Sequence, residues 1–80
     1  MEETKNMDIK LSHDEALVLF EFLSREEREI LSKVQHYAEG KTLSGILATL
    51  EKNLSEPFRK DYLELLNEAR KKVQGDDEPF

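Results

Sequence analysis

The segment from Ser12 to Ser24, SHDEALVLFEFLS, constrains the fold of this 80-residue chain more than any other. Ser12 and Glu15 have the spacing of a capping box, in which each side chain satisfies a free backbone N–H at the start of a helix. Asp14 and Glu15 also place negative charge at the positive end of the helix dipole. We therefore predict a helix from about His13 to Leu23.

This helix is apolar on two sides. On a helical wheel one face carries Ala16, Leu19, Phe20 and Leu23, whereas Val18 and Phe22 point nearly the opposite way. A helix that is apolar nearly all round is usually buried, so we expect other helices to cover both faces. The alternative is an exposed patch that a partner protein covers. The candidate partner interface then comprises Asp14, Val18, Glu21 and Phe22.

Three further apolar stripes follow along the chain. Ser24 and Glu27 repeat the capping-box spacing and predict a second helix, with its stripe at Ile30, Leu31, Val34, Tyr37 and Ala38. Gly40 is predicted to end that helix. The alternative places Gly40 inside one longer helix reaching Leu54, where a glycine costs about 1 kcal/mol.

A third helix is predicted after a cap at Thr42 or Ser44, with leucines and Ile46 on one face and Pro57 ending the run. A fourth stripe runs from Phe58 to Val73, with Lys71 and Lys72 suiting a C-terminal end and Gly75 as the stop. The sequence thus predicts an all-α fold, a compact bundle of three to four short helices with polar, flexible termini. We divide the chain into an N-terminal arm (1–10), the bundle (11–74) and an acidic tail (75–80). The predicted core comprises Ala16, Phe20, Leu23, Val34, Tyr37, Leu47, Leu50, Leu54, Tyr62, Leu66 and Ala69.

Three segments, LSHDEALVLFEFLSR, LEKNLSEPF and DYLELLNEARKKV, resemble a set of small bacterial proteins of uncharacterised function. The resemblance covers about half of the chain, in the first helix and from Leu50 onward, whereas residues 26–49 depart from the pattern. It implies an independent small helical unit and implies no activity.

Composition narrows the classes of function. With 18 acidic and 12 basic residues the net charge is −6, which disfavours binding to nucleic acid or to anionic membranes and is compatible with a basic protein partner. There is no cysteine, and the longest apolar run, Ala16–Phe20, is far shorter than a membrane span. The N-terminal residues lack the apolar stretch of a signal peptide, so we expect a cytoplasmic protein.

No residue pattern predicts catalysis, a metal or a cofactor. His13 and His36 are interpreted as solvated surface histidines, because a metal site needs several converging ligands. The acidic pairs Glu26/Glu27 and Asp76/Asp77 are interpreted as solvated charge, since catalytic carboxylates normally occupy a cleft. We therefore predict that the protein is not an enzyme.

The remaining hypothesis is a protein–protein interaction module of the inhibitor, antitoxin, immunity or adaptor type. It rests on the small size, the negative charge and the second apolar stripe of the first helix. The alternative is a structural protein that self-associates as a homodimer through the same stripe. A small DNA-binding helical unit is a third hypothesis, which the net charge disfavours.

Overall fold

The computed structural model describes residues 6–75, which form three α-helices and one short 3₁₀ turn. The helices are α1 (His13–Leu31), α2 (Tyr37–Asn53) and α3 (Tyr62–Gln74), and the turn is Glu56–Phe58. The part of the chain described contains no strand, so the predicted all-α bundle is confirmed. Residues 1–5 of the predicted arm and residues 76–80 of the predicted tail lie outside the described residues.

Helix α1 begins where the sequence predicts. The Ser12 hydroxyl accepts from the Glu15 N–H at 3.0 Å, and the Glu15 carboxylate accepts from the Ser12 N–H at 2.8 Å. The predicted end near Leu23 is wrong, because the helix continues through Ser24 to Leu31. Inside a continuous helix the N–H groups that Ser24 would cap are already bonded, so the capping-box spacing has nothing to satisfy there. Continuation also keeps Ile30, seven residues after Leu23, against the core.

The predicted second helix, ending at Gly40, is also wrong. The chain leaves α1 after Leu31 and starts α2 at Tyr37, so that Gly40 lies inside α2. The cap is neither Thr42 nor Ser44 but His36, whose Nδ1 accepts from the Ala38 N–H at 3.0 Å.

The end of α1 and the first turn of α2 are in ordinary contact at Gly40. A Cβ atom built on Gly40 would lie 3.5 Å from Cδ2 of Leu31, so the end of α1 packs near the first turn of α2 at this glycine. The sequence argument treated Gly40 as a helix stop, whereas the structure uses it as a contact point within a helix.

Helix α3 follows the prediction more closely. It ends at Gly75, which has a φ of 61°, and Lys71 and Lys72 lie in its last turn. At its start, the Asp61 side chain caps no helix N–H but accepts two hydrogen bonds from the Arg59 guanidinium. Pro57 lies in the 3₁₀ turn that separates α2 from α3.

Helix α1 contacts both α2 and α3 and is the central helix, as predicted, but the expected cover of its second apolar face is incomplete, because Phe22 is exposed. Among residues 6–75, six side chains are buried: Leu17, Leu23, Leu50, Leu54, Leu66 and Ala69. All but Leu17 belong to the predicted core, and Ala16, Phe20, Leu47 and Tyr62 are partly buried against it. Two predicted core residues are exposed instead, Val34 and Tyr37, because the segment that carries them is the connection between α1 and α2 and the first residue of α2.

Candidate functional site

The four residues predicted as a partner interface lie along α1 but in different surroundings. Asp14 is half-buried in the first turn, and Val18 is half-buried against the core. Glu21 bonds to α3, whereas Phe22 is 47 % exposed. The structure therefore leaves Phe22 as the one large apolar side chain of this set that is open to solvent.

Arg25 partly shields Phe22. Its guanidinium carbon lies 5.7 Å from the centre of the Phe22 ring, within the range of a cation–π contact. The same guanidinium lies 3.7 Å from the Glu21 carboxylate and 3.0 Å from that of Glu26. The exposed ring therefore already has a cation over one face, which lowers the benefit of burying it against a partner.

A hydrogen bond between helices lies next to this group. The Tyr62 hydroxyl of α3 donates to Oε1 of Glu21 at 2.7 Å, and both side chains are partly buried. Burial, together with this carboxylate, raises the pKa of the Tyr62 phenol above its usual range. The contact joins α1 to α3, so the carboxylate of Glu21 is already engaged within the fold.

A second polar contact joins the start of α1 to the turn before α3. Nε2 of His13 lies 2.6 Å from Oε2 of Glu56, and the Glu56 side chain is largely buried. The His13 hydrogen bond lowers the pKa of the Glu56 carboxyl, against an opposing effect of burial. His13 was interpreted from the sequence as a solvated histidine; its ring is exposed, but it also holds this carboxylate.

A large apolar depression lies elsewhere, along α2. We call it the α2 groove; it is open to solvent and has a volume of about 670 Å³. One wall is the segment 6–12, which contributes Met7, Ile9 and Leu11, and α1 contributes Leu19. The other wall is a face of α2 formed by Thr42, Gly45, Ile46, Thr49 and Leu50.

The lining of the α2 groove carries no charged side chain, although 38 % of the residues in the chain are charged. Gly45 leaves open space in the α2 wall of the groove, where an added Cβ atom would meet nothing within 4 Å. Ile46, which is 45 % exposed, forms a ridge shared with a smaller neighbouring depression that also contains Ile30 and Val34. That neighbouring depression also contains Lys33 and Glu39, so the uncharged surface is confined to the α2 groove itself.

Sequence reasoning missed this groove because its lining joins the segment 6–12, α1 and α2, which no local pattern connects. A signal was nevertheless present in the segment from Thr42 to Leu50, TLSGILATL, which is the longest stretch of the sequence without a charged residue. One face of that segment provides core leucines, and the uncharged residues on the other side had no assigned role. A surface helix usually carries charged residues on the face opposite its apolar stripe. The absence of charge on that face of the segment was therefore the signal that could have indicated the groove.

Residues 6–75 were also considered for a metal site and for a membrane-spanning helix. No group of three or more His, Cys, Asp or Glu side chains there is placed to hold a metal ion. Over the same residues, no helix combines the length and apolar character needed to cross a membrane. The other histidine, His36, acts as the N-cap of α2.

Comparison with known proteins finds no matching family model, no similar curated protein and no similar solved structure. The resemblance to small bacterial helical proteins therefore stays a prediction.

Proposed function

We propose that this protein is a protein–protein interaction module and that the α2 groove receives an apolar segment of another chain. The observation that carries the proposal is the combination of an apolar depression of about 670 Å³ with a lining free of charge. Apolar surface of this kind on a small soluble protein is a mark of an interaction site.

The exposure of the groove's side chains supports this role. Met7 and Ile9 are 84 % and 75 % exposed, although their chain segment lies along the groove. If a partner covered them, the apolar surface removed from water would stabilise the complex by roughly 25 cal/mol per Å². In contrast, Phe22, on the surface predicted from the sequence, already has Arg25 over its ring. The groove therefore offers a partner more uncovered apolar surface than the Val18/Phe22 face does.

Charge around the groove bears on the kind of partner. Helix α1, which lines the groove through Leu19, carries six acidic residues and two arginines, and the net charge of the chain is −6. An apolar segment flanked by basic residues would suit this negative charge. The proposal includes inhibitor, antitoxin, immunity and adaptor roles, and it assigns no catalytic step to any residue.

The test substitutes Gly45, which lies in the α2 wall of the groove. Gly45→Glu places a carboxylate at a position with open space around it, so that the helix is retained while the groove becomes charged. Gly45→Ala is the matched control, because it adds a methyl group and helix propensity without charge. A photo-crosslinking side chain introduced at Thr49 identifies the bound protein in cells, and titration of that purified protein then measures affinity.

We expect Gly45→Ala to bind as the parent does and Gly45→Glu to bind at least tenfold more weakly, since an unpaired charge is costly to bury in an interface. Equal affinity of Gly45→Glu and the parent for the crosslinked protein would rule out the groove. A Phe22→Ser variant tests the other surface in the same titration, and a loss confined to that variant would move the interface to the outer face of α1.

A further inference from the structure

The segment 6–12 leads into the N-cap of α1, and among residues 6–75 its last residue, Ser12, is the one with backbone hydrogen-bond partners. It contains no helix, turn or bend, and no hydrogen bond within residues 6–75 involves the backbone of residues 6–11. Ser12, which follows, is extended, with φ −68° and ψ 163°. A segment with unpaired N–H and C=O groups can pair with another chain when it becomes extended, as an exposed strand edge does.

The side chains of this segment alternate in character. Met7, Ile9 and Leu11 all line the α2 groove, whereas Asp8 and Lys10 are the charged residues between them. Residues two apart in an extended chain share a face. One face of the segment is therefore apolar and follows the groove, and the other is charged.

We propose that the segment 6–12 pairs with the same segment of a second copy of the chain, as an antiparallel two-stranded ribbon centred on Ile9. This deepens the proposed function, on which it rests, by naming a second copy as the occupant of the groove's open edge. The observation that selects a second copy is the order of charges along the segment.

Centred on Ile9, the pairing is self-complementary. Asp8 of each copy lies opposite Lys10 of the other, and Met7 lies opposite Leu11, with the two Ile9 side chains facing each other. Opposite charges in directly facing cross-strand positions stabilise a pair, whereas like charges destabilise it.

The neighbouring antiparallel registers lack this match. Centring the ribbon on Asp8 brings the two aspartates together, and centring it on Lys10 brings the two lysines together. A shift that places an odd residue opposite an even one sets apolar side chains against charged ones. The sequence of residues 7–11 therefore specifies one register.

The paired segments also need the groove. A ribbon of five residues is too small for the roughly 1,200 Å² that stable interfaces bury, so the second strand must also cover apolar surface beside it. Ile46 and Thr49 border the groove opposite the segment and provide that surface. An isolated two-stranded ribbon is at best marginally stable in water, which leads to the same requirement.

The first experiment measures the dimer dissociation constant by sedimentation equilibrium for the parent, D8K, K10D and the double variant D8K/K10D. Each single variant sets like charges opposite each other twice in the symmetric ribbon, and we expect each to weaken the dimer about tenfold. The double variant restores opposite charges and should return to the parent value.

Net charge cannot imitate this pattern. D8K brings the chain closer to neutrality and K10D makes it more acidic, so a general charge effect would move the two single variants in opposite directions. A dimer that tightens in D8K and weakens in K10D would overturn the ribbon. A parent that stays monomeric at several hundred micromolar would overturn it as well.

The second experiment reads the register directly, using the absence of cysteine from the chain. Under mild oxidation I9C should form a disulfide-linked dimer at least tenfold faster than M7C or L11C alone, because only position 9 faces itself. A mixture of M7C and L11C should form the mixed dimer. Equal rates for all three single variants would contradict the proposed register.

The G45E variant separates this inference from the proposed function. If G45E abolishes the dimer while the charge swaps and I9C behave as if unpaired, the groove is an interaction site and the ribbon is wrong. If the swaps and I9C behave as expected while G45E leaves association unchanged, the segments pair and the groove proposal is wrong.

Discussion

Leu17 shows how a single side chain can be misplaced by a sound sequence pattern. The wheel puts it at the edge of the apolar face, yet it is 2 % exposed and among the most buried side chains described. Glu21 lies four residues further along the same side of α1 and bonds to Tyr62 of α3. Helix α3 therefore covers this side of α1, and no periodicity within one helix could reveal where a second helix packs.

The first prediction follows from that burial. Leu17→Ala should lower the free energy of unfolding by about 3 kcal/mol, as buried leucine truncations do, which is a large share of the stability of a domain this small. Chemical denaturation of the two proteins measures it. Phe22→Ser is the control on the exposed side of the same helix and should cost less than half as much. Similar losses for both variants would show that α3 does not cover Leu17.

The second prediction concerns acid. Because the folded pKa of Glu56 is lowered, its ionisation stabilises the folded protein above the unfolded pKa near 4.5, and this contribution is lost as the pH falls through the folded pKa. Glu56→Gln should therefore cost stability at pH 7 and markedly less at pH 3. Denaturation curves at both values test this, with Glu64→Gln on the exposed surface of α3 as the control for removal of one negative charge. A Glu56→Gln cost that is equal at the two pH values would contradict it.

For the helices, the local capping signals in the sequence predicted some starts and ends correctly and others wrongly. The Ser12/Glu15 box and the Gly75 stop were correct, because each acts on free backbone groups within a few residues. The Ser24/Glu27 box and the Gly40 stop were wrong, because identical local signals lose their effect when packing continues the helix across them. The boundary at His36 was missed, since a histidine side chain is an uncommon N-cap.

The third prediction tests the position of α2. Gly40→Ala should stabilise the protein by about 0.5–1 kcal/mol, because alanine is the better helix former and its methyl group would lie in ordinary contact with Leu31. Thermal and chemical denaturation measure the change, and Gly45→Ala serves as a second helical position without a neighbour. If Gly40 instead ended a helix in a left-handed conformation, the same substitution would destabilise the protein.

For the whole molecule, the sequence predicted the fold class, the central place of the first helix and most of the core, because those follow from apolar periodicity. The α2 groove could not be predicted in the same way. It arises where the segment 6–12 runs beside two helices, and its lining joins residues from Met7 to Leu50 that no local pattern connects. The longest uncharged stretch of the sequence was its one visible sign.

The central position of α1 also has a consequence for how the molecule opens. Most contacts between elements involve α1, and within α2 the buried residue is Leu50, near its C-terminal end. The first turns of α2 can therefore separate from α1 while α1 and α3 stay together, so that the N-terminal part of α2 has the lower local stability.

In native-state hydrogen exchange, we expect backbone amides of residues 40–46 to exchange fastest among the helical amides away from helix ends. Those near Leu50 should be slower, and those near Leu17 and Leu66 slowest. Uniform exchange of all three helices, with a single denaturant dependence, would instead show that the molecule opens only by unfolding as a whole. The expected gradient would mean that the wall of the α2 groove is also the part of the fold that opens most readily.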